Sequence, residues 1–203
     1  MKQKLGISDQ PLDKGVKNAI KIINTLKFDK PIFVFMNLME THEPYSLKEP
    51  PIHKVMAENL KNNTLNKETI KIWRENYPKE AAYVTKKILE MMRILKGKGV
   101  FDNSLIIITS DHGQLLGEHG RIGHGTFLYD ELVRVPLLIK YPKGFEIEHV
   151  VPLEARYSSL TKLKPYILGI ISDRIVSDEY LYDDTVFSES YGIPQTILVN
   201  EIK

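Results

Sequence analysis

The sequence predicts a layered α/β fold, with a mainly parallel sheet flanked by helices. Three observations carry this. Three apolar runs of strand length recur along the chain, Pro31 to Met39, Ser104 to Ser110 and Arg134 to Pro142; a long stretch of helical spacing separates the first two. With 203 residues, 42% of them hydrophobic, the chain can bury a sizeable core, and it reads as one domain over residues 1–203.

Taken in order, Leu12, Val16, Ile20, Ile23 and Leu26 recur at helical spacing behind Asp9 and Pro11, which predicts an amphipathic helix. "PIFVFMNLM" is continuous, aromatic-rich and opened by proline, the pattern of a strand buried on both faces. "ETHEPYSLKEPP" follows, and its prolines forbid regular structure. From Asn66 to Leu95 the pattern is helical, with Val84, Ile88, Met91, Met92 and Leu95 on one face; Pro78 is expected to divide it in two, and "KGKG" to stop it.

"SLIIITS" and "RVPLLIKYP" are the second and third buried strands. Beyond Lys143, "SSLTKLKPYILGII" has the look of a capped short helix, and "TVFSES" and "QTILVNEI" of strands. The last strand stops at Lys203 with no closing element, so the domain is expected to be incomplete.

Composition excludes several classes. The net charge of +2 with mixed signs is too small for a nucleic-acid footprint. Cys is absent, which removes disulfides, thiolate metal sites and a cysteine nucleophile from these residues. No run approaches the roughly 20 apolar residues of a membrane span, and the first residues lack a signal-peptide core, so the location is left unknown, with the cytoplasm as the default expectation.

Chemistry concentrates in "TSDHGQLLGEHGRIGHG", directly after the second strand. Open α/β sheets place ligands at the carboxyl ends of their strands. There Asp111 and His112 stand side by side, a carboxylate and an imidazole that can both bind a divalent cation, and Gly113 lets the backbone turn sharply. His119 and His124 follow, and a second histidine loop, "THEPY", leaves the first strand. A zincin helix is excluded because glycines at 117, 120, 123 and 125 break it.

Three linked segments, "FVFMNLMETHEPY", "FDNSLIIITSDHGQLLGEHG" and "GTFLYDELVRVPLLIKYP", resemble the sulfatases of the alkaline phosphatase superfamily in order and approximate spacing. The resemblance implies that Asp111 and His112 bind a divalent cation, calcium, magnesium, manganese or zinc. It implies that His42, in a His-x-Pro-Tyr motif, contacts the ester and assists the leaving oxygen. His124 stands thirteen residues after Asp111, where many sulfatases carry a sulfate-binding lysine; a histidine keeps the donor but makes anion binding pH-dependent. The phosphate-ester branches of the superfamily also use histidines in this region.

The family's nucleophile motif, Cys/Ser-x-Pro-x-Arg, and its earlier pair of metal-binding aspartates have no match here. The chain is therefore expected to be the carboxyl-terminal part of a sulfatase-type domain. It would hold metal weakly, turn over a small anionic ester little or not at all by itself, and join a homo-oligomer or a missing partner segment. The alternative is a non-catalytic or truncated sulfatase-fold module that acts as a binding subunit.

Among the remaining residues, the "GEHG" around His119 is expected to shape its loop. Glu40 and Tyr45 are read as loop hydration and packing, and Tyr129, Glu131 and Arg134 as an ion-paired brace. Trp73, Met91 and Met92 are read as core, His53 and His149 as surface, and the lysines from Lys14 to Lys30 and Lys61 to Lys98 as a solvated face.

Overall fold

The computed structural model describes residues 11–47, 49, 52–62, 65–125, 127–148, 157–172, 177–183, 185–189 and 196–200. The chain forms two compact units, Met1–Ser104 with Leu115–Gly123, and Leu105–Gln114 with His124–Lys203.

In the first unit, helix α1 (Val16–Thr25) starts at Gly15, whose φ of 134° suits a residue without a Cβ. It starts four residues later than the periodicity suggests, because Leu12 and Lys14 give their N–H groups to glutamate side chains. The start signal at Asp9 lies outside the described residues. Helix α2 (Ile52–Asn62) was not legible in the sequence; it puts Val55 into a core with Tyr45, Trp73 and Ile122.

Helix α3 (Lys67–Gly97) is continuous, contrary to the break expected at Pro78. A proline inside a helix costs about 3 kcal/mol. Apolar burial on both sides of it offsets that cost, through Trp73 before the proline and Met91 after it. Asn66 caps the helix start by accepting from Glu68 N and Thr69 N at 3.0 and 3.2 Å. Gly99, at φ 72°, closes the other end, where "KGKG" predicts it. Met91 packs with Val16 and Ile23 of α1 as a second core.

Residues 31–39 correct an expectation. They form no strand, and Phe33 and Phe35 are each 79% exposed. A strand buried on both faces needs neighbours along its edges and a layer on each side; among the described residues of this unit no strand pairs with residues 31–39, and α1 lies beside their last part, Met36 to Met39.

The short hairpin β2–β3 (Leu115–Leu116 with Ile122–Gly123) completes the unit. Between its strands Glu118–Gly120 makes one 3-10 turn, with His119 left-handed at φ 52°. The "GEHG" segment thus shapes a turn, as read.

In the second unit, β1 (Ile106–Thr109) and β4 (Leu137–Lys140) pair antiparallel, Ile106 opposite Lys140 and Thr109 opposite Leu137. Helix α4 (Asp130–Val133) is a single turn between them. A second ladder joins β5 (Thr185–Glu189) to β6 (Thr196–Asn200). Helix α5 (Leu163–Ile171), capped by a 3-10 turn from Ser159, covers Leu105 and Ile139 with Tyr166 and Ile170.

The chain mixes helices and strands, and all three ladders among the described residues are antiparallel. Residues 31–39, expected as a buried strand, form no ladder among the described residues. β1 and β4 are half-buried rather than buried, and Leu138 is 57% exposed. Among the described residues no helix is long and apolar enough to cross a membrane.

Candidate functional site

His42 lies in the first unit, on the turn after residues 31–39. Its Nδ1 is 2.8 Å from the Glu43 carbonyl, which can only accept, so Nδ1 carries a proton and the neutral ring presents its lone pair at Nε2. The Glu43 carboxylate stands 3.5 Å from the same nitrogen. The Glu43–Pro44 peptide is cis.

The turn is held from several directions. Tyr45 OH donates to Thr41 O at 3.0 Å, and Tyr45 N donates to Glu49 Oε1 at 2.7 Å. The other oxygen of Glu49 takes the Trp73 indole N–H at 3.0 Å, and Tyr45 meets the Trp73 ring edge-on at 5.1 Å. Burial raises the Glu49 carboxyl above its usual range, against these hydrogen bonds.

Glu40 is completely buried, which corrects its reading as loop hydration. Its Oε1 accepts from Lys14 N at 3.1 Å and Val16 N at 2.8 Å, so it caps the start of α1. Glu80, 1% exposed, takes Leu12 N at 2.6 Å. Two buried glutamates thus receive the amides of Leu12, Lys14 and Val16. Lys14, assigned to the solvated face, is half-buried and donates to the carbonyls of Glu40 and His42. Sequence alone could not find it: it stands among many surface lysines.

In the second unit, Asp111 and His112 follow β1 as predicted. Ser110 Oγ donates to His112 O at 2.7 Å, and His112 N donates to Asp111 Oδ1 at 3.1 Å. His112 Nδ1 is 2.7 Å from the Gly113 carbonyl, which fixes the proton there and leaves Nε2 as the lone-pair nitrogen. That is the arrangement of a metal-binding imidazole, whose second nitrogen donates to a carbonyl. Nε2 and Asp111 Oδ1 lie 3.9 Å apart. Two ligands of one cation, each about 2.0 to 2.6 Å from it, lie within about 5 Å of each other, so both atoms fit one ion.

Two protein atoms would fill half or less of a shell of about four to eight ligands. Within this unit alone no third His, Asp or Glu ligand joins them among the described residues. Asp111 is 79% exposed and His112 37% at their side chains, so solvent reaches the pair.

Gly113 has a steric reason to be glycine. Its N–H donates to Leu132 O at 2.7 Å, and a Cβ built on it would lie 1.9 Å from the Glu131 carbonyl oxygen. The turn after β1 is thus pressed onto α4.

His124 stacks on His112, centroids 4.2 Å apart and planes 25° from parallel, and its Nδ1 meets Gln114 Oε1 at 3.1 Å. Three of the four predicted residues, Asp111, His112 and His124, therefore come together within one unit. Gln114 was missed, since nothing in a lone glutamine marks it.

The predicted brace has a different partner. Arg134 pairs with Asp130 at 3.3 Å and touches Tyr157, with centroid at 5.4 Å; Asp130 is one turn back along the chain, and both side chains are exposed. Such a pair contributes little. His53 is exposed as read, and His149 lies outside the described residues.

The sulfatase family profile matches residues 6–171. The chain is similar to the N-acetylglucosamine-6-O-sulfatase of Bacteroides thetaiotaomicron, 41% identical over 63 residues that make 31% of this chain and 11% of that protein. It is also similar to the choline-sulfatase of Rhizobium meliloti, 29% identical over 110 residues, 54% of this chain and 21% of that one. A crystal structure of a Bacteroides thetaiotaomicron protein assigned to the sulfatases aligns with 90% of this chain and 44% of its own, at 16% identity and a TM-score of 0.48. The matched stretches thus span about a fifth or less of the two curated relatives. With more than half of its length inside the family profile, the chain belongs to the sulfatase family.

Proposed function

We propose that this chain is part of a metal-dependent hydrolase of sulfate esters. Asp111 and His112 serve as two of the metal ligands, and His42 and His124 face the ester. One observation carries the reading: His112 keeps its Nδ1 proton on the Gly113 carbonyl and turns Nε2 to within 3.9 Å of Asp111 Oδ1. A divalent cation, when bound, neutralises charge on the ester oxygens. His124, held by Gln114, supplies a donor for those oxygens when protonated, and His42, once Nε2 has also taken up a proton, can pass that proton to the leaving oxygen. A histidine at 124 also suits a phosphate ester, which is the nearest alternative substrate.

The nucleophile has no counterpart in these residues, so the isolated chain should turn over little or nothing. Manganese binding followed by electron paramagnetic resonance tests the ligand pair. Weak binding abolished by Asp111→Ala supports it; equal binding by both proteins overturns it. Normal hydrolysis of an aryl sulfate by the isolated chain, lost in Asp111→Ala, would overturn the placement of the nucleophile elsewhere.

A second reading, a non-catalytic module that binds a partner or a second copy, is favoured by the apolar segment at Ile32–Met36, exposed along its whole length. Light scattering of the wild type and of Phe33→Ser/Phe35→Ser separates the readings. Association lost in the double variant supports the module; a stable wild-type monomer opposes it.

A further inference from the structure

Lys14 and the His42 turn hold each other. The lysine Nζ donates to Glu40 O at 3.0 Å and to His42 O, while Glu40 Oε1 receives the Lys14 N–H at 3.1 Å. An ammonium has three protons to place. Two go to these carbonyls, and the cation also stands 5.3 Å from the centre of the Tyr45 ring. Burial pulls the Lys14 amine below its usual range, while Glu80, Glu40, Glu49 and Glu43 act against that fall and favour the cation.

The bond to His42 O matters most. That oxygen belongs to the peptide joining His42 to Glu43, so gripping it fixes the plane of that peptide and the ψ of His42. The Glu43 carbonyl follows one peptide later, and it is the group that holds the His42 Nδ1 proton. Freed from Lys14, the peptide can turn, and the ring loses the acceptor that selects its tautomer.

We propose that Lys14 is a positioning residue for His42: it fixes the His42–Glu43 peptide so that the ring keeps its proton on Nδ1 and presents Nε2. The inference rests on the assignment of His42 to the ester.

The test is long-range proton–nitrogen NMR of the full chain, labelled with nitrogen-15, at a pH where the ring is neutral. The six histidines are told apart by single substitutions. In the wild type His42 shows the Nδ1–H pattern. Lys14→Met, which keeps the apolar stem and removes the donors, shifts His42 toward the Nε2–H form, while His112 keeps its own pattern. Lys14→Arg, which keeps charge and donors, restores the wild-type signal. An unchanged His42 tautomer in folded Lys14→Met overturns the proposal.

Should Lys14→Met fail to fold, the wild type decides. A hydrogen-bonded Lys14 gives a slowly exchanging ammonium resonance with cross-peaks to His42, and its absence overturns the proposal. The ring readout does not depend on turnover. If the tautomer shifts as expected but His42→Ala leaves the affinity for inorganic sulfate unchanged, the positioning stands and the ester assignment of His42 falls.

Discussion

The two histidine-bearing turns are built on opposite principles. The His42 turn is anchored by buried groups: Glu40, Glu80, Tyr45 and Trp73 are each at most 3% exposed, Tyr45 bonds to Thr41 O, Trp73 to the Glu49 side chain, and Glu40 and Glu80 take the amides of Leu12, Lys14 and Val16 before and at the start of α1. The turn after β1 is open to solvent at Asp111 and His112, and is held by a close backbone approach at Gly113, a ring stack and hydrogen bonds between near neighbours. A proton-transferring histidine needs its tautomer fixed, which favours a rigid, buried frame. A metal-binding pair must admit an ion and its waters, which favours exposure. The contrast predicts that substitutions around His42 cost stability and that substitutions at Asp111 and His112 do not.

The largest effect should come from Trp73→Ala. It removes a buried aromatic, the edge-on contact with Tyr45 and the donor to Glu49 Oε2. Truncations of this kind cost about 3 to 5 kcal/mol, read as a fall in the urea midpoint. A fall of under 1 kcal/mol would break the claim that this frame is rigid because it is buried.

Gly113→Ala comes next. The new methyl collides with the Glu131 carbonyl, a backbone atom that cannot rotate away, and overpacking costs about 1 to 3 kcal/mol. The stack of His112 on His124 should open, seen as a change in both ring resonances. An unchanged stack with unchanged stability would show that the turn has room to spare.

A smaller effect is expected from Glu80→Gln, which keeps the acceptor for Leu12 N. Burial raises the Glu80 carboxyl above its usual 4.5. The folded chain then holds this proton to higher pH than the unfolded chain. This contribution to stability therefore falls as pH rises from about 4.5 through the folded value, and is flat above it. The melting-temperature advantage of Glu80→Gln over the wild type should open across that window and persist at neutral pH. A constant difference at all pH values would contradict the assignment.

The smallest change should be Asp111→Ala. An exposed side chain outside the core shifts stability by about 0.5 kcal/mol or less, while manganese binding is lost. A large loss of stability would make Asp111 a structural residue and erase the contrast.

Much of the second turn was legible because its information is local. Asp111, His112 and Gly113 are adjacent, and an apolar run ends just before them. The first turn was legible only at His42 and its proline. Glu40 and Tyr45 look like ordinary loop residues, and Lys14 and Glu80 stand 28 and 38 residues from the histidine (42 − 14; 80 − 42); no short-range pattern joins them. Pro78 misled for a related reason: a local helix breaker is overruled by burial that only packing supplies. Residues 31–39 show the converse, since a perfect strand pattern leaves no strand where no partner lies beside it.

By itself, the sequence determined the family, the helices α1, α3 and α5 and the strands β1 and β4, since these follow from chemistry and periodicity over short stretches. Tertiary structure alone decided which ring nitrogen carries each proton, why residue 113 has no side chain, and that a lysine from the start of α1 grips the His42 turn. The last two depend on groups distant in sequence meeting in the folded chain, and the first on a backbone path that brings each ring to the carbonyl of the next residue.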